Sequence, residues 1–149
     1  PGPVALLPAD PVRALDVRFM DRFFDHYVMG AMQGPVIAAI RSDSAYKAEL
    51  LAEAKTTAAT ALDTAYAWLE ARFTQGASGP WAVGADFTMA DCAAAPSLFY
   101  ADWVHPIGEA FPALRAYRTR LNARPSFARA IEEARPYRHY FPLGAPDQD

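Results

Sequence analysis

The chain has 149 residues, of which 52% are apolar and 21% charged, with a net charge of −3 and one cysteine. That length suits one domain burying about 70% of its unfolded surface, and the apolar share excludes a disordered chain. The acidic balance without a Lys/Arg block gives no footprint for nucleic acid, no apolar run reaches the ~18 residues of a membrane span, and a lone cysteine excludes an internal disulfide framework and suits a reducing, cytoplasmic compartment.

The opening PGPVALLPADP has no basic start, and prolines break its apolar part, so residues 1–9 read as a linker and not as a signal peptide. Asp10-Pro11 starts a helix, with Asp as N-cap and proline in the first helical position, where its missing N–H is harmless. Leu15, Phe19, Met20, Phe23, Phe24, Tyr27, Val28, Ala31 and Met32 follow at three- and four-residue steps, which predicts an amphipathic helix with a wide apolar face. That face is wider than one neighbouring helix needs and predicts an exposed apolar patch and self-association. Gly34-Pro35 interrupts the pattern, with 36–40 continuing it after a kink. The RSDS of 41–44 reads as a loop. A second long helix is predicted over 45–73, with a stripe through Tyr46, Leu50, Leu51, Ala54, Ala58, Ala61, Leu62, Ala65, Trp68, Leu69 and Phe73. Its alanines admit a close neighbour, and the short connection makes the two long helices antiparallel.

A glycine-rich loop, TQGASGPWAVGADF, leads to TMAD. Thr88 reads as an N-cap and Asp91 as the residue that reaches back to it, a capping box with Asp in place of Glu or Gln. Phe87 and Cys92 occupy the staple positions, and the carboxylate meets the positive end of the helix dipole. With neither a base nor a metal to accompany it, Asp91 is expected to be structural. Asp91→Ala is expected to cost about 1 to 2 kcal/mol, and Asp91→Asn less. Pro96 should bend this third helix. Cys92, on an alanine-rich face, is expected to be buried. A fourth helix follows Pro112, a fifth lies between Pro125 and Pro136, and 136–149 reads as an irregular, extended tail. His105 and His139 have no partner at metal-ligand spacing, so no metal site is expected. The pattern predicts an all-α helical bundle of five or more helices, two of them long and antiparallel, in one domain over 1–149, with no strand.

Three segments resemble one family in order and spacing. GADFTMADCAAAPSLFYADWV is similar to the segment that opens the sixth helix of glutathione transferases. FPALRAYRTRLNARPSFARAI resembles their next segment, and LLPADPVRALDVRFMDRFFDHYV their entry into the long fourth helix. The resemblance implies the all-helical C-terminal domain of a glutathione S-transferase, without the thioredoxin-like domain that binds and activates glutathione. No catalytic residue can be matched here, and the chain alone would be inactive. Glutathione would be the co-substrate of a full-length transferase, and this domain would line the pocket for an apolar electrophile and the homodimer interface. In the family the first long helix borders both, so Phe23, His26 and Tyr27, with Tyr100 and Trp103, are the pocket candidates. Such helical domains also serve as non-catalytic protein-interaction modules, and that reading stays open.

Overall fold

The computed structural model describes residues 5–41, 46–75, 79–147 and 149. The RSDS loop and part of the glycine-rich loop therefore fall largely outside the described residues. Helix α1, Pro11–Phe23, begins where Asp10 accepts the Arg13 N–H at 2.8 Å. It passes without a break into a π-helical segment, Phe24–Met29, and then into α2, Gly30–Arg41. Sequence spacing placed the interruption at Gly34-Pro35. Instead Pro35 lies buried inside α2, and the irregular turn sits earlier. The apolar residues explain the position. Met20, Phe24, Val28 and Met32 are all buried and stand four residues apart. Each four-residue step overshoots a 3.6-residue turn by about 40°, and a wider i→i+5 turn absorbs the drift. The whole row then stays on the core side.

Helix α3, Lys47–Gln75, is about 44 Å long at 1.5 Å per residue. It runs antiparallel to α1–α2: Asp16 near the start of α1 pairs with Arg72 near the end of α3 at 2.7 Å, whereas Gly30 and Gly34 face Leu50 and Ala54. Ala58, Leu62, Ala65, Tyr66 and Leu69 form its buried stripe. Tyr46, Leu50 and Trp68, counted in the stripe from spacing, are exposed, and Tyr66, which was not, is fully buried and donates its hydroxyl to the His105 carbonyl at 3.1 Å.

Helix α4, Met89–Val104, runs through the middle, with Ala90, Ala94, Leu98 and Ala101 fully buried and Pro96 inside it without a break. Small side chains let α1 and the π segment approach closely. Helices α5, Pro112–Ala123, and α6, Pro125–Ala134, follow, each opened by proline in its first turn. The segment expected to be extended is partly helical: Arg135–Tyr140 forms a 3-10 helix entered through Pro136, and the irregular path begins only at Phe141. A proline cannot continue the hydrogen-bond ladder but has the right φ to open a tighter turn. Among the described residues the only β pairing is an isolated bridge, Trp81 with Gly84.

The start of α5 is capped from another helix. No side chain of its own N-cap, Phe111, can serve, and the Glu70 carboxylate of α3 accepts the Ala113 and Leu114 N–H groups at 3.0 and 2.8 Å. Glu70→Ala should therefore lower unfolding stability by about 1 to 2 kcal/mol. Glu70→Gln, which keeps one acceptor oxygen, should lose roughly half as much, read from urea-unfolding midpoints.

Candidate functional site

An apolar cavity of about 530 Å³ opens between α2, the C-terminal half of α4 and the segment after α6. Val36, Ile37 and Ile40 form one wall, Tyr100 and Trp103 another, and Phe141 closes it from the tail. Phe141 stacks on Tyr100 at 5.9 Å between ring centroids and meets Trp103 edge-on at 5.2 Å. The Arg138 guanidinium lies 5.3 Å from the centre of the Trp103 ring, close enough for a cation–π contact.

Of the pocket candidates read from sequence, the structure brings Tyr100 and Trp103 together and leaves the other three elsewhere. Phe23 is almost fully buried and stacks on Trp68 at 4.3 Å, and Tyr27 packs on Phe23 at 5.1 Å with 62% of its surface exposed. His26 is exposed and lines neither the cavity nor that aromatic row. Much of the wide face of the first helix is covered internally, since Met20, Phe23, Phe24, Val28 and Met32 are buried, while Leu15, Phe19 and Tyr27 remain exposed. The sequence reading missed Val36, Ile37 and Ile40. The helix was expected to continue through 36–40 after a kink, but the spacing of these three residues does not say which side of the domain they face.

At the end of α4 away from the cavity, Asp91 is fully buried and surrounded by donors. Oδ2 accepts the Thr88 N–H at 2.8 Å and the Thr88 hydroxyl at 3.1 Å; Oδ1 accepts the Ala82 N–H at 2.8 Å and the Tyr117 hydroxyl at 2.7 Å. The carboxylate thus opens its own helix, holds the loop before it and anchors α5. Burial first, and then the adjacent carboxylate, push the Tyr117 phenol well above its ordinary range, so it remains a donor. The loop reaches Asp91 only because Gly84 adopts a φ of 86° and a Cβ on Gly79 would lie 2.2 Å from the Gly84 carbonyl oxygen. All four donors are fixed parts of the fold, so the carboxylate is fully engaged by the loop, its own helix and α5.

Cys92 is exposed and not buried as its alanine neighbours suggested. The inward face of α4 is taken by Ala90, Asp91, Ala94 and Ala95, and Cys92 turns outward with Phe87 into a groove of about 330 Å³, beside Arg124 and Phe127. Partial burial, then the Asp91 carboxylate, raise its thiol pKa, with Arg124 opposing. Among the described residues no three His, Cys, Asp or Glu side chains gather as a metal site would require. His105 pairs with Asp63 at 2.8 Å, and His139 packs on Tyr140. No helix among the described residues is long and apolar enough to cross a membrane.

Residues 38–120, more than half of the chain, match the family described as Glutathione S-transferase, C-terminal domain. Solved structures similar to this one include a glutathione transferase homolog from Sulfitobacter with bound glutathione, at 17% identity and a TM-score of 0.68, which covers 87% of this chain and 66% of its own. A glutathione S-transferase domain-containing protein from Marinobacter aquaeolei has 23% identity and a TM-score of 0.63, over 85% of this chain and 61% of its own. A glutathione S-transferase from Methylobacterium radiotolerans in complex with glutathione sulfonate has 27% identity and a TM-score of 0.61, over 85% of this chain and 57% of its own. The chain thus spans less than two thirds of the length of each of these proteins. No curated protein sequence matches it.

Four donors on one carboxylate change the cost expected from a simple cap. Asp91→Ala strands buried N–H groups and the Tyr117 hydroxyl and should destabilise by about 4 kcal/mol or more. Asp91→Asn turns an NH2 group toward donors and should cost at least about 2 kcal/mol instead of being mild. Tyr117→Phe removes one donor and should cost about 1 to 2 kcal/mol. Denaturant unfolding of the three variants measures this order. The raised thiol pKa leaves little Cys92 thiolate at neutral pH, so iodoacetamide should alkylate it several times more slowly than free cysteine at pH 7.5, with a rate still climbing as the pH rises past 9.

Proposed function

This chain belongs to the glutathione S-transferase C-terminal domain family, and on that footing we propose that it is the helical domain of a glutathione transferase-like protein whose acceptor-substrate pocket includes the cavity between α2, α4 and the tail. The observation that carries the reading is the cavity itself, about 530 Å³ of mostly apolar space with Tyr100 and Trp103 in its wall. Concave apolar space of this size suits a small apolar molecule held by few polar groups. The domain's share of the reaction is to orient and desolvate an electrophile. Binding glutathione and activating its thiol belong to a thioredoxin-like domain beyond this chain, joined through residues 1–9. The exposed row of Phe19, Tyr27 and Trp68, with the groove between α2 and α3 lined by Gly30, Gly34, Ala54 and Ala58, supports a homodimer contact outside the cavity. A thiol co-substrate and an unpaired cysteine both suit the cytoplasm.

The same exposed row favours the second reading, a protein-interaction module, and one titration separates the two. A neutral naphthalene dye should bind the chain. Val36→Trp, which fills the cavity, should weaken binding at least about tenfold, while Tyr27→Ser should leave it unchanged. Loss of dye binding with Tyr27→Ser but not with Val36→Trp would move the apolar site to the α1 face and favour the interaction module. Glutathione alone should give no measurable heat with this chain at millimolar concentration.

A further inference from the structure

Arg135 and Arg138 of the 3-10 helix and Arg118 of α5 converge on one residue, Asp149. Arg135 donates to Asp149 Oδ2 at 2.6 Å, Arg138 donates to Oδ1, and Arg118 donates to the main-chain oxygen at 3.2 Å. Two of the arginines have carboxylate partners of their own, Asp102 for Arg118 at 3.0 Å and Glu132 for Arg135. Arg138 pairs with Asp149 alone among the described residues. Arg138 also lines the apolar cavity beside Trp103, whereas its partner Asp149, with Arg118 and Asp102, lines a polar hollow of about 410 Å³.

We propose that Arg138, supported by Arg135 and Arg118, is a carboxylate-binding subsite at the edge of the apolar cavity, so that the molecule taken there is apolar with a carboxylate at one end. The proposal rests on the cavity being a ligand site and names the class of ligand it takes. A carboxylate already fills the subsite, which shows the geometry the arginines accept. Asp149 is held with about a third of its side chain exposed, whereas Asp102 is only 15% exposed. A free ligand that brings an apolar body into the cavity gains burial that Asp149 lacks, and so displaces it. When Asp149 leaves, the pairing of Arg118 with Asp102 and of Arg135 with Glu132 persists, and one uncompensated positive charge remains on Arg138. One charge and a planar guanidinium fork match a monoanionic carboxylate better than a doubly charged phosphate.

Calorimetric titration of the chain with decanoate, decan-1-ol and decyl phosphate tests this. Decanoate should bind roughly tenfold tighter than decan-1-ol, the difference one charge-assisted hydrogen-bonded pair makes. Asp149→Ala should tighten decanoate severalfold and leave decan-1-ol unchanged. Arg138→Gln should bring decanoate down to the level of decan-1-ol, with the circular dichroism of the variant unchanged. Arg138→Lys, which keeps the charge but not the fork, should fall between. Equal binding of decanoate and decan-1-ol in all variants would overturn the subsite and leave the cavity reading standing. Tighter binding of decyl phosphate than of decanoate would overturn the ligand class. Absence of binding by all three would overturn the cavity reading and this proposal together.

Discussion

The carboxylate of Asp91 is the constraint on which the rest of the domain depends. It has no exposed surface, and its charge is balanced by backbone and hydroxyl donors from three places in the chain: Thr88, Ala82 and Tyr117. A buried charge held this way is costly to create and more costly to strand, so the three segments must be in place together. Loop, central helix and α5 are thereby locked in register before any side chain of the cavity is considered. Glu70 repeats the device at lower burial, tying the start of α5 to α3. Two acidic side chains thus fix the angle of α5, and Arg118 on α5 is what reaches the tail.

Much of this architecture is legible in the residues. Asp10-Pro11, the four-residue steps of Met20, Phe24 and Val28, and the prolines at 112 and 125 all announce helices that the structure contains. The spacing of Thr88 and Asp91 shows that one helix starts there. It does not show Ala82 and Tyr117, because partners 9 and 26 residues away leave no local pattern. Pro35 misled for a physical reason. Periodicity reads the strain of a proline but not the wider turn upstream that keeps the apolar row aligned, so the break was expected at the wrong residue.

The cavity was half legible. Tyr100 and Trp103 stand out as aromatics late in α4, and the structure places them in one wall. Phe23, His26 and Tyr27 are equally conspicuous but lie on the side of the first helix that looks toward α3 and outward. Sequence gives the face of a helix only if its turn is regular, and here it is not. The tail residues Arg138 and Phe141 join the site through tertiary packing alone, which no spacing rule reports.

The π segment, Phe24–Met29, carries a consequence of its own. One extra residue in a helical turn swings everything after it by about 100° about the helix axis relative to a straight continuation. The segment therefore acts as a fixed rotational offset between a front half that serves the central packing and a back half, with Val36, Ile37 and Ile40, that serves the hollow. Losing a single residue between positions 24 and 29 would relax the segment to a regular turn and leave both halves facing as they do, whereas winding the unchanged sequence as a regular α-helix would aim its second half at a different neighbour. In a fold of this kind, the shape of a binding surface can change through the winding of a helix far from that surface, with none of the surface residues altered.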